Sequence, residues 1–252
     1  MNSILTNKIK KTAITLGTVL VWLAVWEIAA QIVDHVYFLP SVGQTLNSLL
    51  SIISSKGFFK RIIFTLLRVI SGLVIGIIAG ATLAALSYRF PIVKAILSPI
   101  ISVIKSTPVA SLIIIVWVLM DGNSLAVLIA FMMVMPIIWQ NLLDGFDSIS
   151  KDLSELCDAF GFSFIKRFKL LIFPALMKYF IPAIITATGL AWKSEIAAEI
   201  IVNTITSIGQ SINEAKSNFD TPTVFAWTLI VIIFSITLEK ITKSLLNRYK
   251  ER

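Results

Sequence analysis

The chain has 252 residues, of which 57% are hydrophobic and 14% are charged, with a net charge of +8 and a mean hydropathy of +0.89. An average soluble domain is about 25% charged, so this chain lacks the polar residues that a soluble surface requires. A single cysteine, Cys157, and a single histidine, His35, exclude an internal disulfide, a Cys or His metal cluster and a histidine-dependent catalytic triad. The composition predicts an integral membrane protein with no catalytic site and no metal site.

The positive charge does not predict nucleic-acid binding. Lysines and arginines flank apolar stretches and are not interleaved with aromatic stacking residues, as they are on a nucleic-acid surface. An excess of Lys and Arg at the cytoplasmic ends of spanning helices is the expected pattern of a membrane protein. We therefore expect membrane lipid, and no nucleic acid, to contact this chain.

Six apolar stretches are long enough to cross a membrane. A hydrocarbon core about 30 Å thick requires roughly 20 residues of helix, and the stretches lack the alternating pattern of a membrane β-barrel. The predicted spans are Thr12–Val33, Ile62–Tyr88, Ile92–Met120, Ser124–Leu143, Tyr179–Val202 and Thr223–Leu245. The predicted fold class is an all-α polytopic membrane protein with six transmembrane helices.

The distribution of cations predicts the side on which each loop lies. The N-terminus, the turn at 89–94, the loop 144–178 and the C-terminal end carry 15 of the 22 Lys and Arg residues, against four in the loops on the other side. By the positive-inside rule, both termini are cytoplasmic. We expect residues 1–60 to form an N-terminal transmembrane helix, retained rather than cleaved, and an external loop, Asp34–Lys60, with a short interfacial helix. Residues 61–252 then form the core domain.

The second span carries a glycine at every fourth position, namely Gly72, Gly76 and Gly80. Residues four apart lie on one helix face, so these glycines predict a groove in which another backbone approaches closely. Packing inside the chain and a seam between two copies of the chain both fit this pattern. Pro108 and Pro136 predict bends in the third and fourth spans.

The loop 144–178 carries the strongest pattern. Apolar residues recur there at three- and four-residue steps, which predicts an amphipathic helix. These residues are Leu153, Leu156, Phe160 and Phe164. Gly161 suits a sharp turn, and Pro174 predicts a break before the fifth span. Such a helix either docks into a partner groove or lies flat on the membrane surface.

The spacing in this loop resembles the EAA loop of the inner-membrane permeases of binding-protein-dependent ABC importers. A glutamate is followed by a glycine six residues later, and a proline follows thirteen residues after the glycine. The matching residues are Glu155, Asp158, Ala159, Gly161 and Pro174. Leu156 and Cys157 stand where two alanines are usual, and Phe173 stands where leucine is usual. In this family the loop contains the coupling helix that docks into the ATPase subunit.

The resemblance covers residues 60–245 and extends to the nitrate, sulfonate and taurine permease subgroup. The segments that carry it are Thr65–Arg68 with Gly72, Ser106–Ala110 with Trp117, Gly189–Trp192 with Ala198–Glu199, Ser207–Gly209 and Phe225–Thr228. It implies the type I ABC importer permease fold in a bacterial plasma (inner) membrane.

The resemblance also implies partners. A permease of this family is expected to form a homodimer with two ATPase subunits and an external substrate-binding protein. The chain has no G-x-x-x-x-G-K-[ST] phosphate loop, so we expect no cofactor on it, and ATP and Mg on the partner ATPase. The chain is predicted to be a transport subunit and not an enzyme.

Five charged residues inside the predicted spans are candidates for the translocation path or its gate. They are Arg68, Lys105, Lys193, Glu195 and Glu199. A charge at a helix centre costs about 2.5–3.5 kcal/mol on insertion scales. Glu195 and Glu199 share a face, whereas Lys193 points elsewhere. Lys193 is expected to meet the substrate or the gate, to pair with a buried acid such as Glu27, or to extend to the interface; Glu199 is expected to pair structurally or to shape the gate.

The predicted function is transport of a small anionic organic solute, such as an aliphatic sulfonate, taurine or a nitrate-like ion. A vitamin precursor or another small solute is the alternative within the same class. A transporter driven by an ion gradient is a remote alternative, and an intramembrane enzyme lacks a nucleophile–base set. Selectivity in this family resides largely in the binding protein, so the sequence does not identify the substrate.

Overall fold

The computed structural model describes the backbone of residues 2–250 and the side chains of residue 10 and residues 13–246, and all regular structure in this part is helical. The helices are α1 (Asn2–Val33), α2 (Val42–Ser54), α3 (Phe58–Arg89), α4 (Pro91–Ser106), α5 (Val109–Trp117), α6 (Gly122–Asp147), α7 (Lys151–Ala159), α8 (Phe164–Arg167), α9 (Phe173–Val202), α10 (Ile208–Ser217) and α11 (Thr221–Lys250). A π-helical turn, Phe168–Ile172, lies between α8 and α9.

Five helical stretches in the described chain are long and apolar enough to cross a membrane. They are Ala13–Val33, Phe58–Arg89, Gly122–Asp147, Phe164–Val202 and Thr221–Leu246. The bent pair of α4 and α5 adds a sixth if it counts as one span. These stretches overlap the six predicted ones, although the stretch that matches the fifth starts at Phe164, 15 residues earlier than Tyr179, and the predicted all-α polytopic fold is confirmed.

The third predicted span, Ile92–Met120, is not one continuous helix, because the chain bends by 104° between α4 and α5. The Thr107 N–H donates to the Val103 carbonyl at 3.0 Å, which is the last hydrogen bond of α4. Thr107 then adopts an extended conformation with ψ 130°, as a residue before proline does. Pro108, which has no N–H, begins α5 in a new direction. Pro136, by contrast, lies inside α6, which is one continuous helix from Gly122 to Asp147.

In the described chain, residues 2–58 and 211–231 form one compact unit. In this unit the Trp26 indole N–H donates to the Pro40 carbonyl at 3.0 Å. The Glu27 carboxylate accepts from the Val42 N–H, at the start of α2, at 2.9 Å. The ring of Phe225 lies 5.8 Å from that of Trp26. The short helix predicted in the loop after the first span is therefore present as α2, and a glutamate of α1 caps it.

Residues 59–210 and 232–250 form the second unit, in which the glycine face of α3 packs on α6. A Cβ placed on Gly72, Gly76 or Gly80 would lie 2.5–2.8 Å from a Cβ of α6. The α6 residues at these contacts are Ala130, Val134 and Ile138. The glycines thus allow two backbones of the same chain to approach closely, and α6 occupies the groove that a second copy would need.

The other side of α6 packs along α9. Their shared core also includes α5, and its buried members are Leu112, Ile113, Leu125, Ala126, Ile129, Met133 and Ala198. More than half of the α6 span is buried, against almost none of the α1 span. Helix α6 is therefore the central helix of the second unit, with α3 and α9 packed on it.

Candidate functional site

The first candidate segment connects α6 to α9 and contains a tight reversal after α7. Gly161 has a left-handed φ of +61°. The Phe162 N–H donates to the Cys157 carbonyl at 2.9 Å, and the Gly161 N–H donates to the Asp158 carbonyl at 3.0 Å. This is the Schellman pattern, which ends a helix on a left-handed residue, most often glycine. The turn predicted at Gly161 is present.

The amphipathic helix is shorter than the apolar repeat predicts. Helix α7 ends at Ala159, and Phe164 lies beyond the turn on α8, because the Schellman turn ends the helix before the repeat is complete. The apolar side chains nevertheless stay exposed: Leu153 by 50%, Leu156 by 52%, Phe160 by 70% and Phe164 by 76%. This surface is open to another molecule or to the bilayer.

An arginine of α8 holds the two arms of the reversal together. Nη1 of Arg167 lies 2.7 Å from Oδ1 of Asp158, and Nη2 of Arg167 contacts the hydroxyl of Ser154. Asp158 therefore has a partner inside the segment. Glu155 and Ala159 are exposed, so their side chains are available for contacts outside it.

The predicted break at Pro174 is wrong. The helical run continues from Phe164 to Val202. Pro174 lies in the first turn of α9; because the helix continues from the preceding turn, the proline lacks an N–H that would otherwise donate to that turn. The π-helical turn Phe168–Ile172 comes directly before it, and this wider turn leaves room for the proline ring.

The second candidate site lies towards the other end of α9, where a buried ion pair joins two of the predicted charged residues. Glu199 is fully buried, and its Oε1 lies 2.9 Å from Nη1 of Arg68, whose side chain is 11% exposed. The Thr65 hydroxyl, one turn earlier on α3, lies 2.9 and 3.0 Å from the two carboxylate oxygens. The Gly209 N–H donates to Oε2 at 3.0 Å. These donors offset the cost of burying the carboxylate.

The start of α10 reaches this carboxylate with its backbone. The Ile208 N–H donates to the Thr65 hydroxyl oxygen at 3.1 Å, next to the Gly209 contact. Free N–H groups at a helix start favour a negative charge. A Cβ on Gly209 would lie 2.3 Å from the Cβ of Glu199, so a glycine is required for this approach.

The second nitrogen of Arg68 binds two further elements. Nη2 donates to Oδ1 of Asn123 at 2.8 Å and to the Ile205 carbonyl at 3.0 Å. Arg68 thereby links α3 to the start of α6, the end of α9 and the loop after α9. We call this network the Arg68 cluster; its side chains are Thr65, Arg68, Asn123 and Glu199. At 1.5 Å per residue, about 38 Å of helix separate Pro174 from Glu199.

The structure does not bring the predicted lysines into the Arg68 cluster. Lys193 is exposed, on a face of α9 that also exposes Pro182 and Thr186, roughly 200° around the helix from Glu195. Lys105 is exposed at the end of α4, beside the bend into α5. Within the described side chains neither lysine forms a salt bridge, so the expected pairing of Lys193 with a buried acid is not found.

Glu195 shares the buried face of α9 with Glu199 but has no hydrogen bond. It is fully buried, and neither of its carboxyl oxygens has a partner among the described residues. No group of three or more His, Cys, Asp or Glu in the described part of the chain could hold a metal ion.

Sequence reasoning missed several residues that the structure brings into contact. Thr65 and Gly209 lie in the segments Thr65–Arg68 and Ser207–Gly209, which carry the family resemblance, so both had a signal in the sequence. Asn123, at the start of α6, had none. A Cβ on Gly189 would lie 2.3 Å from Oε1 of Glu239, a half-buried acid of α11 that was assigned no role.

An all-helical chain with up to six spans, an exposed amphipathic segment and polar residues inside its spans has the features of a multi-pass membrane permease. The chain belongs to the family of binding-protein-dependent transport system inner membrane components, and the match to this family covers residues 72–251. The predicted class, a non-catalytic permease of an ABC transporter, is confirmed.

Three relatives illustrate the range of solutes in this family. The chain is 23% identical over 248 residues to the taurine transport system permease protein TauC of Escherichia coli, covering 95% of this chain and 89% of that protein. It is 26% identical over 219 residues to the formylaminopyrimidine transport permease protein ThiX of Halalkalibacterium halodurans, covering 86% of each. It is 24% identical over 196 residues to the nitrate import permease protein NrtB of Leptolyngbya laminosa, covering 77% and 70%.

The fold is similar to that in the crystal structure of an amino acid ABC transporter with histidines. The TM-score is 0.65 at 17% identity, and the match covers 81% of this chain and 98% of that one. The predicted ABC permease fold is confirmed.

Proposed function

We propose that the chain is the membrane subunit of an ATP-driven importer for a small anionic organic solute of the aliphatic sulfonate, taurine or nitrate type. The observation that carries the proposal is that Lys105 and Lys193, on helices of the membrane region, are exposed and have no acidic partner among the described residues. An uncompensated cation in a span is costly, and a passing anion compensates it. The taurine and nitrate relatives are in keeping with such a solute.

The two lysines flank one packed core. Ile104, next to Lys105, packs on the core between α5, α6 and α9. Leu190 and Ala197, one turn before and after Lys193, pack on the same core. The backbone at both positions is therefore supported while the lysine side chains extend outward. A cation held on a rigid element is suited to guide an anion along a path.

The exposed segment of α7 is the proposed contact with the ATPase. Amphipathic helices that lie on a bilayer are rich in Lys and Arg, and anionic lipids repel acidic ones. Helix α7 instead carries three acids, Asp152, Glu155 and Asp158, against one lysine, Lys151. This composition favours a protein groove over the membrane surface. Two copies of the chain, two ATPase subunits with ATP and Mg, and an external binding protein complete the proposed transporter.

Coupling is tested in the reconstituted complex. Leu156→Ser removes an apolar side chain that is 52% exposed. The expected effect is loss of ATPase co-purification and of uptake, without loss of the fold. Leu245→Ser, at a residue that is 58% exposed near the end of α11, is the matched control. Normal co-purification and uptake with Leu156→Ser would contradict the assignment.

The anionic solute is tested by charge. Lys193→Ala is expected to lower uptake of taurine or nitrate at least tenfold, whereas Lys193→Arg retains most of it. Lys216→Ala, which removes an exposed cation of α10, is the control. Wild-type uptake in both Lys193→Ala and Lys105→Ala would refute a role of these cations in the path.

The formylaminopyrimidine relative favours a vitamin precursor as the second candidate. Screening the partner binding protein with taurine, aliphatic sulfonates, nitrate and formylaminopyrimidine distinguishes the two. A neutral pyrimidine would also be insensitive to Lys193→Ala. Uptake by the purified chain alone under an ion gradient would instead support a secondary transporter.

A further inference from the structure

Two carboxyl groups lie one turn apart on the buried face of α9, and only one of them has hydrogen-bond donors. Glu199 accepts from Thr65, Arg68 and Gly209. Glu195 is equally buried, yet neither of its oxygens has a partner among the described residues. Buried polar atoms without a partner are rare in native proteins, so the state of Glu195 requires an explanation.

The surroundings supply one cation for two carboxyl groups. The Glu199 carboxyl is on the residue one helical turn from Glu195, on the same face of α9, and Arg68 is the cation that pairs with Glu199. Arg68 already donates one nitrogen to Glu199 and the other to Asn123 and the Ile205 carbonyl. A second, unpaired carboxylate at this depth would be far more costly than any hydrogen bond the site offers.

The nearness of the two carboxyl groups resolves this imbalance. Two carboxylates repel each other, whereas a carboxylic acid donates a strong, charge-assisted hydrogen bond to a carboxylate. We propose that Glu195 is a carboxylic acid whose proton is shared with Glu199. The O–H of Glu195 then donates to the Glu199 carboxylate, which in turn holds Arg68. The three side chains together carry no net charge. This neutrality is favoured because a net charge inside a membrane span is costly.

A metal ion is a poor alternative to the proton. Metal cations in oxygen sites take six or more ligands, and no third acidic ligand lies with these two in the described chain. The guanidinium of Arg68, 2.9 Å from Oε1 of Glu199, would also repel a cation. Glu195 is thus a positioning residue, which orients the Glu199 carboxylate towards Arg68. This role does not depend on which solute is transported.

Infrared spectroscopy of the full chain in lipid nanodiscs tests the proposal. With isotope-labelled glutamate, the wild-type chain at neutral pH is expected to show the C=O stretching band of a protonated glutamic acid. Glu195→Gln is expected to lose this band. Glu214→Gln, which changes an exposed acid of α10, is the matched control and keeps it.

Two stability variants separate positioning from packing. The amide of Glu195→Gln is neutral and retains a donor for Glu199, so thermal stability close to that of the wild type is expected. Glu195→Ala lacks the donor and is expected to be less stable. The proposal is overturned if the wild-type chain shows no such band, if the band persists in Glu195→Gln, or if Glu195→Gln is as unstable as Glu195→Ala. The wild-type spectrum is decisive even if a variant does not fold.

Discussion

The close approach at Gly209 permits a sharp prediction, because a single added methyl group would collide with backbone. In Gly209→Ala the new Cβ would lie 2.3 Å from the Cβ of Glu199 and 2.6 Å from both its carbonyl carbon and the Ile200 nitrogen. Favourable contacts between carbon atoms are about 3.5–4.0 Å long. The start of α10 therefore has to move away from α9 by roughly 1 Å or more.

That movement has two energetic costs. Overpacking a tight contact costs about 1–3 kcal/mol. The hydrogen bond from the Gly209 N–H to Glu199, 3.0 Å in the wild type, lengthens out of range, and a bond to a charged group is worth about 1.5–3 kcal/mol. The expected destabilisation is therefore about 2.5–6 kcal/mol, the sum of the overpacking and hydrogen-bond costs.

The assay is thermal unfolding in detergent, followed by tryptophan fluorescence. The fully buried Trp192 on α9 is a suitable reporter. The melting temperature of Gly209→Ala is expected to fall by roughly 5–24 °C. Gly43→Ala, whose Cβ would meet only the Ser41 hydroxyl at 3.9 Å, is expected to be neutral or slightly stabilising. If Gly209→Ala unfolds at the wild-type temperature, the steric argument and the contact behind it are wrong.

Three further predictions concern other contacts. Because the space around Gly161 is open, Gly161→Ala is expected to lower stability by about 1–2 kcal/mol through left-handed strain alone. Gly161→Asn is expected to lower it by less, because asparagine adopts the left-handed conformation more readily than alanine. Thermal unfolding compares the two variants. Arg68→Gln leaves the buried Glu199 unpaired and is expected to cost about 3–5 kcal/mol in the same assay, with recovery when Glu199→Gln is added. Asp121 accepts hydrogen bonds from the Ser124 backbone and hydroxyl, which lower its pKa, so its stabilisation is full above the ordinary pKa of an aspartate and is lost as the pH falls through the lowered one. Asp121→Asn is expected to remove this loss of stability at low pH. Thermal unfolding measured over a range of pH checks it.

Each of these predictions has an outcome that would contradict it. Equal stability of Gly161→Ala and Gly161→Asn would mean that the left-handed conformation contributes nothing. A double variant no more stable than Arg68→Gln would assign the loss to contacts other than Glu199. An unchanged acid-side loss in Asp121→Asn would assign it to different carboxyl groups.

The features that the sequence predicts well are those that local chemistry determines. Span length and apolar composition identify the six apolar stretches of the described chain, and the left-handed preference of glycine identifies the turn at Gly161. Prolines are less informative, because their effect depends on position in the helix. Pro108 bends the chain, Pro136 lies inside a continuous helix, and Pro174 follows a π-helical turn within a continuous run.

The Arg68 cluster illustrates why the rest escapes sequence reasoning. Arg68 and Glu199 were both expected to be functional, but they are 131 residues apart in the chain, and no local pattern pairs them. Their contact depends on how α3 and α9 pack on α6. The contribution of Asn123 depends on the same packing. A single sequence contains no direct signal for such distances.

The continuous run from Phe164 to Val202 has a mechanical consequence. At 1.5 Å per residue its 39 residues measure about 58 Å, nearly twice the hydrocarbon thickness of a bilayer. Such a rod acts as a lever, in which a tilt of about 5° at one end displaces the other by about 5 Å over that length. A push on the segment around Gly161 would thus arrive at the Arg68 cluster as a displacement longer than any of its hydrogen bonds.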